Sequence, residues 1–406
     1  MGIKGLSQFI KKKYPHVLLQ VPLTLLKGKR IAVDAYGWMF SNMSTTRKEV
    51  LNKTDVYVED PNPIEIRRLW LGKAVAFVIT WLSYGVTPIF VFDGEHLDQK
   101  SDTKKDRYEK SQATREAIAE LKTRVRGLDV LDVRPHDVTE LRKLMRNDIC
   151  ISKDNSTCLK TMLSCAGIPC IQATDEAERL CAMMCVEGKV AAVYSKDSDC
   201  MAWGCPLQLK EFSRTYAYDD KGNRVHQCEA VRLDKVLEAL DMPYYRFIDL
   251  CIMSGNDFND NIPKIACVKS YNLLQQYDNI DNIAHLHDIS ILKHKVGRSI
   301  FRRLPSEVLT VGPIQELEEL PDDFRTDLLG NEIVSTEISL NVSKNCLHAC
   351  GRDILESYGL GSEAHKLARL YSVLPASTPG HPEELEIEVP KYDHIKSKSS
   401  IKLVLV

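Results

Sequence analysis

Three short apolar runs each end in aspartate, and they restrict the folds open to this 406-residue chain. KRIAVDA ends at Asp34, TPIFVFDG at Asp93, and KVAAVYSKDSD at Asp197 and Asp199. Each reads as a buried strand of a parallel sheet closed by a polar turn. Between them lie helical patterns, LWLGKAVAFVITWLSYG over 69–85 and EAERLCAMMCVEGK over 176–189. Asp175 is placed to cap the second helix, with Glu178 at its third position as in a capping box. Strands alternating with helices predict an α/β fold built on a mostly parallel, doubly wound sheet. Such sheets bind ligands outside the carboxyl ends of their strands, where these aspartates fall.

The rest of the chain is organised around that core. The N-terminal part of the core covers about 1–95. From 96 to 155 the sequence is polar and helical without a strand, and reads as a long insertion; such excursions usually carry function. The core resumes over 156–262, and 263–374 is mainly helical. From about 375 to 406 the composition turns to Pro, Ser and Glu, as in ASTPGHPEELEIEVP, and is expected to leave the folded body. No apolar run approaches the ~18 residues of a membrane span, so no membrane role is expected. MGIKGLSQFIKKK lacks the apolar core of a secretory signal. Thirteen cysteines without a C-x-x-C pair fit reduced, buried thiols, so an intracellular protein is expected, with nothing to separate nucleus from cytoplasm.

Seven acids stand out: Asp34, Asp93, Glu176, Glu178, Asp197, Asp199 and Asp257 of MSGNDF. Singly, each has a plain reading as a turn former, a helix cap or solvated surface. Together they deliver carboxylates from four separate strand ends and helix starts to one sheet edge. Clustered acids repel one another unless a cation lies between them. A hard oxygen ligand set without His or Cys suits Mg²⁺, with Mn²⁺ as a substitute, and not zinc. Two such ions ~3.5–4 Å apart can activate a water and stabilise the leaving oxygen of a phosphodiester. The net charge of −2 argues against a generic polyanion binder, but Lys100 to Arg126 holds nine basic residues against five acidic ones. Lys100, Lys104, Lys105 and Arg107 begin about two helical turns beyond Asp93, and Lys100 and Arg107, seven apart, share a helical face. A solvated amphipathic helix is the plain alternative; beside an acidic metal site, a cationic face would clamp a phosphate backbone.

MGIKGL, IAVDA, VFDG, DEAER, SKDSDC followed by MAWG, and FIDLCIMSGNDF occur in an order that resembles the flap endonuclease and XPG-type structure-specific 5′ nucleases. The resemblance covers about residues 1–262, less securely across the insertion. It implies a PIN-like nuclease core whose insertion forms a helical arch over the site. It also implies a later helix–two-turn–helix motif that grips duplex DNA. The seven acids match the family's metal ligands, and Lys100 and Arg107 match the basic pair that acts on the scissile phosphate. Gly2 matches a glycine close to the active site, and Phe40 an aromatic residue that stacks on a base. The implied activity is 5′ flap endonuclease and 5′–3′ exonuclease on DNA with flaps, nicks or gaps, in replication, repair or recombination.

Two departures qualify the match. Where the family carries Gly-Ile-Gly-Pro-Lys, this chain reads Lys264-Ile265-Ala266-Cys267-Val268. Loss of both glycines restricts the backbone, so a K⁺ site there is in doubt, with Lys264 or Lys269 left to replace the lost phosphate contact. No Gln-x-x-Leu-x-x-Phe-Phe box for a sliding clamp occurs, and residues 300–406 are unassigned. A divergent, viral-type member would read this way. The altered motif leaves open an RNA-directed or four-way-junction nuclease. A catalytically silent DNA-binding scaffold is the alternative from another class, although such a scaffold would not need all seven acids.

Overall fold

The computed structural model describes residues 2–94, 101–128, 132–173, 175–301, 333–340 and 383–390, with Ser362 and Lys366; over 101–107, 164–165, 333–340 and 383–390 it describes the backbone alone. Seven strands form one mixed sheet: β1 (Leu18–Pro22), β2 (Arg30–Asp34), β3 (Thr87–Phe92), β4 (Cys170–Gln172), β5 (Ala192–Tyr194), β6 (Leu207–Tyr218) and β7 (Arg224–Arg232). Their order is β1-β7-β6-β5-β2-β3-β4. The run from β6 to β4 is parallel, while β7 and β1 add antiparallel at one edge.

Successive residues of a strand point to opposite faces, and both faces of this sheet are covered. Ile31, Val33, Phe90 and Phe92 pack into one core with α2 (Ala35–Lys53) and α3 (Pro63–Ser83). Ala32, Ile89, Val91 and Val193 enter the other with α7 (Ala177–Val186), α10 (Tyr244–Ser254) and α11 (Cys267–Tyr277). The sheet is therefore doubly wound. In the first core, Trp38 of α2 meets Phe90 edge-on at 6.1 Å, and Phe77 of α3 meets Tyr194 at 4.9 Å. This packing fixes the start of α2, and with it Asp34, against the middle of the sheet.

The insertion shows no strand among its described residues; α4 (Ser101–Arg126), α5 (Pro135–Asn147) and the start of α6 (Lys153–Cys165) fill it. Helix α1 (Leu6–Lys13) opens the chain, the short α8 (Asp199–Ala202) precedes β6, and α9 (Leu233–Leu240) and α12 (His294–Phe301) lie later in the chain. Within the segment expected to leave the folded body, β9 (Glu383–Pro390) pairs antiparallel with β8 (Ile333–Leu340) in a separate two-stranded sheet. No helix among the described residues is long and apolar enough to cross a membrane.

Two local expectations are corrected. Asp175 does not cap α7; its carboxylate pairs with the buried Arg179, and Glu176 occupies the cap position without a side-chain cap bond. The cap comes from a distant residue, since the Ala177 N–H donates to Asp93 Oδ1 at 2.9 Å. A buried guanidinium needs a counter-charge more than a helix end needs its neighbour's oxygen. The lost glycine before α11 does not exclude a left-handed backbone either, because Lys264 adopts φ 66°. Its side chain is exposed, so no packing opposes that conformation.

Candidate active site

The carboxyl ends of β2, β3 and β5 lie side by side, and β2 is the strand from which the chain winds both ways, first to β3 and later to β5. Crevices at such switch points are the usual ligand sites of open α/β sheets. Asp34 ends β2 and is only 2% exposed. Its Oδ1 accepts the Gly37 N–H at 3.0 Å, capping α2, and its Oδ2 accepts the Ser195 hydroxyl at 3.0 Å. A Cβ on Gly37 would overlap the Asp34 carboxylate, so the glycine keeps that cap possible.

After β5 the chain turns tightly through Ser195–Ser198. The Asp197 N–H donates to Ser195 Oγ at 3.1 Å, and the Asp199 N–H to Asp197 Oδ1 at 3.1 Å. From the next strand, Gln208 donates its amide to the backbone carbonyls of Ser195 and Asp197. These bonds press Asp197 and Asp199 toward the start of α7. There, carboxylate oxygens of Glu178, Asp197 and Asp199 all lie within 4.8 Å of one another. Glu176 is buried one residue before α7, and Asp93 bridges to that helix through Ala177.

Asp34 registers the crowding. Burial above all, then the charge of Asp93 and that of Asp197, push its carboxyl up to about 7, against the lowering effect of the Gly37 and Ser195 bonds. Beneath the acids, burial raises the Cys181 and Cys200 thiols well above their ordinary value, and Asp34 and Glu178 push the same way. Neutral thiols do not compete as ligands. The donor set is therefore oxygen only, strongly anionic and pre-clustered. That fits a hard divalent cation such as Mg²⁺ or Mn²⁺.

The remaining sequence candidates fall around this group. Gly2 has φ 85°, and a Cβ there would overlap Asp197 Oδ1 and lie 2.7 Å from Ser198 Oγ. The Ile3 N–H donates to that Ser198 oxygen at 2.9 Å, holding the N-terminal segment against the acidic loop. Asp257 stands in the loop after α10, outside the tight group of three. Lys100 lies outside the described residues. Lys104 and Arg107 belong to the first turns of α4, whose side chains there are likewise outside the description. Phe40 is half-buried on α2, and Lys264 and Lys269 are exposed before and within α11. Sequence reasoning passed over Gly37, Ser195, Ser198 and Gln208. A serine beside each loop aspartate was a visible hint; a lone glutamine in a strand offered none.

Family models described as the XPG N-terminal domain and the XPG I-region match residues 1–114 and 167–257, together just over half of the chain. The chain belongs to the XPG family. The two matched regions carry all seven acids above, and the stretch between them, 115–166, holds most of the insertion. Flap endonuclease 1 of Cryptosporidium muris is 31% identical over 332 residues, 80% of this chain and 66% of the relative. The probable RAD2-like endonuclease 369L of invertebrate iridescent virus 6 is 28% identical over 343 residues, 74% of this chain and 79% of the relative. This chain thus spans less than two thirds of the C. muris protein, and 56% of its Cryptosporidium parvum counterpart. Among solved structures, flap endonuclease-1 from Methanococcus jannaschii aligns with a TM-score of 0.51 at 20% identity, covering 87% of this chain and 96% of that one. The catalytic core of Rad2 in complex with DNA substrate aligns at 0.50 and 18% identity, covering 91% and 98%. These likenesses establish the α/β nuclease-type core of this XPG family member.

Proposed function

We propose that this protein is a divalent-metal-dependent, structure-specific 5′ nuclease that hydrolyses DNA phosphodiesters where single and double strands meet. The observation that carries the reading is the convergence of Glu178, Asp197 and Asp199 within 4.8 Å at the switch point of the sheet. Relatives named flap endonuclease 1 support a 5′ flap as the substrate form.

Glu178, Asp197 and Asp199 would hold one Mg²⁺, and Asp34, Asp93 and Glu176 would complete a two-ion site with them. Bound there, the ions supply Lewis acidity and a water activated at neutral pH. The protein's own part is to hold and orient. Ser195 and Gln208 fix the loop that presents Asp197 and Asp199. Gly2 lets the N-terminal backbone lie against that loop without a side chain in the way. Lys100, and Arg107 in the first turns of α4, would neutralise the phosphate under attack. Lys264 and Lys269 would contact the duplex backbone through charge alone.

The test is cleavage of a 5′-labelled double-flap DNA in Mg²⁺ by the purified chain, with Asp199→Ala as control. A discrete product near the junction, absent with the variant while DNA binding persists, is the expected result. Cleavage by Asp199→Ala at the wild-type rate would remove the site assignment. Cleavage of single-stranded RNA or a four-way junction in preference to the flap would replace the substrate class.

A further inference from the structure

The far half of α4 is fastened to the connection between α2 and α3. Asp60, in that connection, accepts Lys122 Nζ at 2.8 Å and Arg126 Nη2 at 2.8 Å. Arg126 Nε also donates to the Val56 carbonyl at 3.3 Å. From α5, Arg142 donates to the Thr54 carbonyl at 3.2 Å, and Arg47 of α2 reaches back to the Met145 carbonyl at 2.9 Å. The buried Asp137 takes both Arg124 and Arg134 at 3.1 Å. Beneath these contacts Leu51, Val56, Ile118, Val125, Leu141 and Met145 belong to a third hydrophobic core, separate from the two that flank the sheet.

Isolated surface ion pairs contribute little. Here they converge on one connection and roof a dry cluster, and three arginines end on backbone carbonyls. Solubilising charge has no need of that arrangement. Helix α4 has few apolar anchors, since Ile118 and Val125 are its buried hydrophobic residues among those described; its other holds are polar, Arg124 on Asp137 and Arg115 on Asp148 at 3.3 Å. A helix this polar takes its place from whatever seats it. As a rod with 1.5 Å rise per residue, it carries any shift at Lys122 to its start around 104–107, roughly 25 Å away.

We infer that Asp60 is a positioning residue: by gripping Lys122 and Arg126 it seats the far half of α4, and so sets where the start of that helix stands relative to the carboxylates. Asp60 touches no reacting atom; it acts through the helix. The inference rests on the nuclease reading for its effect on rate, and on the seat alone for its effect on structure.

The experiment compares the full chain with Asp60→Ala, Asp60→Glu and the control Glu238→Ala, which removes an exposed pair with Lys235 on α9. The Asp60 side chain is 54% exposed, so its removal leaves the cores intact. Hydrogen exchange over residues 108–126 is read on DNA-free protein, and single-turnover cleavage at saturating flap DNA is read beside Kd. Asp60→Ala is expected to exchange faster there and to cut roughly 10- to 100-fold more slowly, with Kd held within about 2-fold. Asp60→Glu should restore most of the rate, and Glu238→Ala should match wild type. Unchanged exchange overturns the seat. Faster exchange with an unchanged rate, or a loss wholly in Kd, overturns the positioning role. If the wild-type chain cuts no nucleic acid, the nuclease reading falls by itself, and the exchange result still decides the seat.

Discussion

Gly2 stands so close to Asp197 that a single added carbon would overlap the carboxylate oxygen, while its φ of 85° is one that other residues avoid. Gly2→Ala is therefore expected to push the Asp197 loop out of place or lift the N-terminal segment from it. The left-handed conformation alone costs about 1–2 kcal/mol, and a misplacement of about 1 Å at the site lowers turnover by roughly 100-fold. Chemical denaturation and single-turnover cleavage together check this; wild-type behaviour in both would mean that the segment moves freely.

The raised carboxyl of Asp34 makes metal stabilisation depend on pH. Its value in the folded protein, about 7, lies above the ordinary 3.8, so the folded state binds the extra proton. In metal-free protein that contribution is fully present below the ordinary value and is lost as pH rises toward 7. Above 7 the ionised Asp34 works against the fold until a cation neutralises it. The rise in Tm on adding Mn²⁺ to EDTA-treated protein should thus be larger at pH 8 than at pH 6. An equal rise at both would exclude Asp34 from the metal-linked group.

Ser195 joins two acids, donating to Asp34 and accepting from the Asp197 N–H. Ser195→Ala keeps every carboxylate but frees both from their common support. Metal affinity is expected to fall by roughly 10- to 100-fold, the usual cost of losing such an outer partner. Isothermal titration with Mn²⁺ reads it directly, and an unchanged affinity would make the serine a packing residue.

Lys264 holds φ 66° with an exposed side chain. Lys264→Gly removes the Cβ strain, partly offset by the glycine's extra chain entropy, so stability should rise by up to ~1 kcal/mol. A lower Tm would show that the lysine side chain holds the turn.

Asp249, 1% exposed, is paired with Arg298, which reaches it through Nε at 2.6 Å and Nη2 at 2.5 Å and also takes Asp281 at 2.6 Å. These bonds hold α12 against α10, the helix that leads into Asp257. Arg298→Ala leaves a buried carboxylate without its cation and should destabilise the fold by roughly 3 kcal/mol. Urea unfolding is the measure; a loss below ~1 kcal/mol would indicate that α12 contributes little.

Much of this was legible along the chain because it is written in local periodicity. The apolar runs before Asp34, Asp93 and Asp197 became β2, β3 and β5, and the stretch 176–189 contained α7. Motif order pointed to the family. Other features left no local mark. The β6–β7 hairpin escaped notice, although its polar turn, where Asp219 accepts the Lys221 and Asn223 N–H groups, closes two alternating strands. Asp175 looked like a cap, yet a buried arginine four residues on claimed it.

What the sequence by itself determined was the inventory: which strands exist, which acids end them, and that their chemistry suits a hard cation. Only the tertiary structure decided the grouping. It singled out Glu178, Asp197 and Asp199 as the tightest set, made Asp93 the cap of α7, brought Gln208 under the loop of Asp197, and seated α4 on Asp60. The reason is physical. A strand or helix is chosen by neighbours a few residues apart, whereas a site forms between residues that meet only after long loops have closed and two cores have packed.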